Sequence, residues 1–337
     1  MNWLYLPILK WKRAEQDGLI ALPDDITDKI CPVIETRMYQ NSTQELYQSI
    51  QHYWSNKPLF LDVATPDGLI LNERFERLRK VLDYIHQTED QYLKVCLWSQ
   101  FINSPFSQDI IEQVNQIGCD VCVRVRVTPK GVEASLQKEL KCLERLSLNK
   151  RQVTVLVDFS SSTFNDPSYI PIISRTLSKC LKDFPGLVAV ASGAFPKTKQ
   201  LNKGFNLVQR DDLAGWLELS DITNMTFAYS DYTCHDPIWE DNKKDKKGGG
   251  GPTPPIMRYA SLTQWHVRKL TSAQESPESS KFILEDKERV LECSCLGCYE
   301  IKQRAYNPSA RVGNYPKHLT DGVIHHITTV IKKNLAL

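Results

Sequence analysis

Short apolar runs, rich in β-branched and aromatic residues, recur along the chain between longer stretches whose apolar positions fall three or four apart. The short runs occupy 4–9, 30–34, 59–63, 93–98, 119–127, 153–158, 187–191 and 225–229. Several are apolar almost throughout, as strands covered on both faces must be. The longer stretches predict amphipathic helices. Phe75, Leu78, Leu82 and Ile85 mark one over 73–86, and Leu136, Leu140 and Leu143 another over 132–146. Further helices are expected over 44–53, 109–117, 169–181 and 211–219, the last with Asp211 as N-cap. Strand and helix alternation is the signature of βα units around a parallel sheet. Eight strands with no Gly-x-Gly-x-x-Gly turn after an early one favour an α/β chain closed as a single (β/α)8 TIM-like barrel over a doubly wound sheet.

The alternation breaks after Tyr232. A highly charged run at 240–247 and a glycine and proline tract at 248–255 read as a solvated surface insertion. Beyond it, 256–270 reads as extended, 281–303 as helical and 323–333 as a closing apolar segment. One barrel domain over 1–337 is therefore expected, with 256–337 completing and decorating it.

Composition narrows the function classes. With 41% hydrophobic residues among 337, the chain has enough material for a sizeable core. Lys plus Arg (42) nearly balances Asp plus Glu (40), so a nucleic-acid partner is not supported by global charge. Ten cysteines scattered among apolar runs suit a reducing, cytoplasmic setting better than a disulfide scaffold. Pro7, Lys10 and Lys12 interrupt the N-terminus too early for a secretion signal, and no apolar run reaches bilayer length, so no membrane association is expected.

In a (β/α)8 barrel, the C-terminal strand ends share one mouth, which gathers residues distant in sequence. Here those ends offer Lys10 and Lys12, Glu35, Asp62, Gln100, Arg124 and Arg126, Asp158, Ser192 with Gly193, and Asp231 with His235. Mixed acids and bases at one rim either neutralise each other or hold an anion and exchange protons with it. Arg124 and Arg126 share a strand face, and only one is expected at the height of the mouth.

Weaker motifs accompany this set. Ser192-Gly193-Ala194-Phe195-Pro196 is a turn with a hydroxyl and backbone amides suited to an anion, but lacks the context of a nucleophile elbow. Asp231 and His235 place a carboxylate and an imidazole on one loop, a pairing suited to acid–base work. Of the adjacent His325 and His326, at most one should face a given pocket. Cys293, Cys295 and Cys298 have metal-like spacing, yet no fourth ligand is evident beside them, so they read as core packing and no metal is expected.

Several strings together resemble the beta protein family. They are Tyr5-Leu6-Pro7-Ile8-Leu9-Lys10-Trp11-Lys12, Pro32-Val33-Ile34-Glu35, the Ser192–Pro196 turn, and Asp231-Tyr232 with His235 and Pro237. Met257-Arg258-Tyr259, Gly313-Asn314 and His325-His326-Ile327 follow in the same order. The resemblance implies a barrel found in phages and in bacterial mobile or defence-associated gene neighbourhoods, with no stated activity or cofactor. Carried over by position, it singles out Lys10, Lys12, Glu35, Asp158, Asp231, His235, Arg258, Asn314 and His325. The chain departs from the family at Thr233, where Gly usually follows Asp-Tyr.

Two functional expectations follow. In the first, a pocket enzyme acts on an anionic, phosphate-ester or nucleotide-like small molecule. Glu35, Asp158, Asp231 and His235 would supply catalysis, and Lys10, Lys12, Arg124, Arg258, Asn314 and His325 would bind substrate. In the alternative, a non-catalytic sensing component of phage–host conflict recognises a protein partner, with the 240–255 insertion as the partner-facing loop.

Overall fold

The computed structural model describes residues 3–335 except 37–42, 64–70, 162, 163, 165, 239–254 and 287–292. The expected 240–255 insertion thus lies almost wholly outside the described residues. Packing divides the chain into two compact units, one of Met1–Trp11, Asp28–Gly193 and Asp211–Tyr232, the other of Lys12–Thr27, Ala194–Arg210 and Thr233–Leu337.

The first unit is a closed ring of eight parallel strands. Its strands are β1 (Tyr5–Lys10), β2 (Val33–Glu35), β3 (Leu59–Asp62), β4 (Leu93–Trp98), β5 (Val121–Arg126), β6 (Val153–Asp158) and β7 (Leu187–Ser192). After β8 (Gly204–Gln209), which belongs to the second unit, β9 (Ala228–Asp231) closes the ring by pairing with β7 and with β1, where Tyr5 lies opposite Tyr229. All eight apolar runs become barrel strands, with ends displaced by a few residues. The strand burial explains why these runs are so apolar: every residue of β1, β4 and β6 is buried, because helices cover the outer face and side chains fill the inner one.

Helices Thr43–Tyr53, Leu71–Thr88, Gln108–Ile117, Val132–Leu140 and Ile170–Leu181 follow β2 to β6 in turn, and Asp211–Thr223 precedes β9. Gly118, at φ 64°, gives Gln108–Ile117 a left-handed C-cap. Side chains alternate between inside and outside along each strand. Leu6, Ile8, Val33, Phe60, Cys96, Cys122, Leu156, Ala189, Ala191 and Ala228 form one inner core, and this fixes the parity of the polar residues above them.

The second unit holds an antiparallel sheet in the order β10 (Ile256–Ala260), β11 (Gln264–Lys269), β8, with helices Arg13–Ile20, Ser276–Glu285, Leu296–Tyr306 and Tyr315–Thr329. The extended reading of 256–270 resolves into the β10–β11 hairpin. The helical reading of 281–303 divides between two helices, with Cys293 and Cys295 before the second. β8 escaped the sequence pattern because its short alternation, GFNLVQ, is half-buried at best. Ring completion falls to β9, so the segment beyond 256 adds no barrel strand. None of the ten cysteines forms a disulfide. Among the described residues, no helix is long and apolar enough to cross a membrane.

Candidate active site

The inward parity of the barrel core continues to polar residues at the strand ends. Counting by twos from Ile8, Val33, Phe60, Cys96, Cys122 and Leu156 reaches Lys10, Glu35, Asp62, Trp98, Arg124 and Asp158. Strand register sets Lys10 beside Glu35 and Glu35 beside Asp62, while Arg126 lies beside Asp158. Five strands far apart in sequence therefore deliver charge to one end of the ring, and a sixth delivers the Trp98 indole.

Arg124 is the hub and is fully buried. Its Nε donates to Asp158 at 3.0 Å, and its Nη1 donates to Glu35 at 2.8 Å and Asp62 at 2.9 Å. Nη2 donates to the Tyr232 hydroxyl at 2.7 Å, and that hydroxyl in turn donates to Asp158, whose oxygens lie at 2.7 and 2.8 Å. The Trp98 indole N–H donates to the Asp62 carboxylate, with Oδ2 at 2.9 Å. The guanidinium carbons of Arg124 and Arg126 lie 4.5 and 4.6 Å from the centre of the Trp98 ring, within cation–π range. Arg126 occupies the next inward position. Its Nε is 3.5 Å from Asp158, and its side chain is 20% exposed whereas that of Arg124 is 0%. The two arginines thus stand at different depths.

Three buried carboxylates meet two guanidinium groups, and the balance is uneven. Burial pushes the Asp62 carboxyl up to about 6. Glu35 adds to this rise, while Arg124 and the Trp98 N–H oppose it. Burial would also raise Asp158, but Arg124, Arg126, the Tyr232 hydroxyl and the Ser160 N–H together hold it below the usual carboxylate range. Burial pushes the Tyr232 phenol well up, so this hydroxyl keeps its proton. One carboxyl poised near neutrality beside one held ionised is an arrangement suited to acid–base chemistry.

Other expected site residues take different places. Asp231 does not join the cluster. Ala228 and Tyr232 point inward, which turns Tyr229 and Asp231 to the outer face. There Asp231 accepts from the Tyr5 hydroxyl at 2.5 Å and lies 2.9 Å from the Tyr229 hydroxyl, which also reaches Asp212 at 2.8 Å on the helix Asp211–Thr223. Ser192 shares that outward parity, since Ala189 and Ala191 face the core. Thus a polar strand end does not always face the mouth, and β7 and β9 depart from the expected convergence.

The remaining candidates lie in the second unit. Lys12 is exposed and occupies the N-cap position of Arg13–Ile20. His235 Nε2 lies 2.5 Å from the buried Glu15. Thr233 adopts φ 51°, in the left-handed region that favours glycine. Arg258 is buried, donates to the Ile256 carbonyl at 2.9 Å, and lies over the Phe195 and Tyr315 rings. Asn314 is the N-cap of Tyr315–Thr329, its side chain accepting from the Lys317 N–H at 3.1 Å. His325 Nδ1 lies 3.2 Å from the Cys293 and Cys298 sulfurs and 3.8 Å from Cys295. These four buried donors lie within 4.8 Å of one another, so a fourth ligand of metal type does stand beside the cysteines that read as packing.

Trp98 and Tyr232 are the barrel residues that sequence reasoning missed. The signal was strand parity: Trp98 ends the expected strand 93–98, and Tyr232 is in phase with Ala228.

Among solved structures, the chain is similar to triosephosphate isomerase from Bartonella henselae, with 11% identity and a TM-score of 0.34, over 67% of this chain and 90% of that one. It is also similar to alanine racemase from Clostridium difficile 630 in complex with cycloserine, with 12% identity and a TM-score of 0.30, over 77% of this chain and 60% of that one. The fold rests on the strand order itself rather than on these likenesses. No curated protein gives a significant match. The family model described as Beta protein matches residues 5–332, and the chain belongs to that family.

Proposed function

We propose that the barrel is a pocket enzyme that performs acid–base chemistry on an anionic substrate of the phosphate-ester or nucleotide class. The observation that carries this reading is the opposed displacement of Asp62 and Asp158 around Arg124 at the C-terminal strand ends. Barrels of this kind place catalysis at that end, and pairs of carboxyls whose environments separate their pKa values divide acid and base roles. Asp62 is the proton donor, and Asp158 is the ionised partner that accepts a proton or steadies positive charge. Arg124 positions both, being engaged with protein groups through Nε, Nη1 and Nη2. Arg126, the more exposed guanidinium, meets the anion, with Lys10 at the C-terminal end of β1 across the ring. We set this chemistry in phage–host conflict, the setting that the resemblance implies.

A sensing role without turnover is favoured by one feature, the extent to which Arg124 is satisfied internally. A panel of phosphate monoesters and nucleotides, assayed for turnover beside titrations with inorganic phosphate, separates the two readings. The enzyme reading predicts turnover that falls by about 10²-fold or more in Asp62→Asn and in Asp158→Asn, as loss of a general acid or base does. Phosphate binding should survive in Asp62→Asn and weaken in Arg126→Ala. Phosphate binding without turnover would support sensing. Turnover unaltered in both carboxylate variants would remove these residues from the mechanism.

A further inference from the structure

We propose that Cys293, Cys295, Cys298 and His325 bind one zinc ion in a closed site that ties together parts of the second unit. The Cys293 sulfur lies 3.0 Å from that of Cys295 and 3.5 Å from that of Cys298. A disulfide needs sulfurs about 2.05 Å apart, so these are not bonded pairs. They nevertheless gather at one point, with the imidazole Nδ1 of His325 completing the set. Tetrahedral zinc, with Zn–S near 2.3 Å and Zn–N near 2.0 Å, separates its donors by about 3.5–3.8 Å. The spacing here approaches that geometry and is too tight for thiolates around a multi-iron cluster.

The surroundings also fit. His325 Nε2 lies 2.8 Å from the Ala260 carbonyl, an outer hydrogen bond that puts the proton on Nε2 and leaves the Nδ1 lone pair for a metal. The Cys298 N–H donates to the Cys295 sulfur at 3.3 Å, and the Thr329 hydroxyl approaches the Cys293 sulfur at 3.9 Å. The Tyr259 hydroxyl lies 3.5 Å from the Cys298 sulfur, and its ring stacks on His325. Such donors spread the net negative charge of three thiolates around a divalent ion. Gly297 permits the approach of the two helices: a Cβ there would lie 2.4 Å from the Asp321 carbonyl oxygen and 3.2 Å from the His325 Cβ.

Three sulfurs and one imidazole suit zinc better than hard, oxygen-seeking cations. All four residues are buried, and four protein ligands fill the shell of a tetrahedral zinc ion, so the site is structural, with no position for substrate. On binding, three thiol protons leave to solvent and three thiolates with one neutral imidazole coordinate Zn²⁺; nothing is oxidised or reduced. The ion links the segment at Cys293, the start of Leu296–Tyr306 and the middle of Tyr315–Thr329. Through Ala260 the linkage reaches the end of β10.

Elemental analysis of the full-length chain, purified under reducing conditions without chelator and also reconstituted with Zn²⁺, is expected to give one zinc per chain. Cobalt exchanged into the wild type should show the d–d and thiolate charge-transfer bands of a tetrahedral site, and this needs no variant to fold. Cys298→Ser and His325→Ala, with folding checked by circular dichroism, should each lose stoichiometric zinc. The proposal is overturned by a reduced, reconstituted wild type without stoichiometric zinc, by an octahedral cobalt spectrum, or by folded variants that retain the metal unchanged.

Discussion

The barrel centre and the thiol cluster are both buried and polar, yet they are balanced in opposite ways. Around Arg124, side chains of both signs face one another, and the guanidinium donates to three carboxylates and a phenol. Around His325, three sulfurs and an imidazole nitrogen lie within 4.8 Å of one another, a set of metal-ligand type rather than a set of opposite charges. A protein that buries charge must pair it or coordinate a metal. The first cluster therefore reads as complete apart from one carboxyl that remains poised to exchange a proton, and the second as complete only with a cation. Under the proposed function, chemistry that needs a mobile proton belongs to the first cluster, whereas the proposed zinc site supplies fixed geometry.

Removal of the Arg124 hub should cost the most stability. Arg124→Met leaves Glu35, Asp62 and Asp158 buried without their shared partner, and loss of one member of a buried ion pair costs about 3–5 kcal/mol. Urea unfolding of the first unit should show a loss of that size. A change below about 1 kcal/mol would mean that the carboxylates need no such partner.

A smaller effect concerns pH. The Asp62 pKa is raised in the folded state from 3.8 to about 6. Folding therefore favours the protonated form, and the associated stability is fully present below 3.8 and lost as pH rises through about 6. Two units correspond to roughly 3 kcal/mol as an upper scale. Asp158, lowered, acts in the other direction: its contribution is present above the ordinary carboxylate pKa and fades as pH falls through its lowered folded value. Asp62→Asn should therefore flatten the decline of unfolding free energy between pH 4 and pH 6, measured against wild type. An unchanged slope would separate Asp62 from that decline.

The smallest effect probes the other cluster through the helix that carries His325. Asn314→Ala removes the N-cap of Tyr315–Thr329 without touching a donor atom, at a cost of about 1 kcal/mol. Denaturant midpoints should fall accordingly while the zinc content stays unchanged, which distinguishes a capping residue from a ligand-binding one.

Much of the barrel was legible in the sequence because strands buried on both faces produce continuous apolar runs, and polar residues interrupt them only near their ends. Glu35, Asp62, Arg124 and Asp158 could be read in this way. The side to which a strand end points was harder to read. On β9 both faces carry apolar residues, so the pattern alone left open which face Asp231 takes until the barrel core fixed the parity. The thiol site was hidden for a different reason: His325 follows Cys298 by 27 positions and meets it only where two helices pack with Gly297 between them. Arg258 and Asn314 stood out by resemblance, and the structure gives the first a place among aromatic rings and the second a helix cap.

Acid–base chemistry at this centre requires Asp62 to hold an exchangeable proton inside the barrel. A carboxyl titration followed by infrared difference spectroscopy, wild type against Asp62→Asn, tests this directly. One buried carboxyl should titrate near pH 6 in the wild type and be absent from the variant. A wild-type spectrum in which no carboxyl titrates between about pH 5 and 7, outside the ordinary aspartate range, would contradict the acid–base assignment.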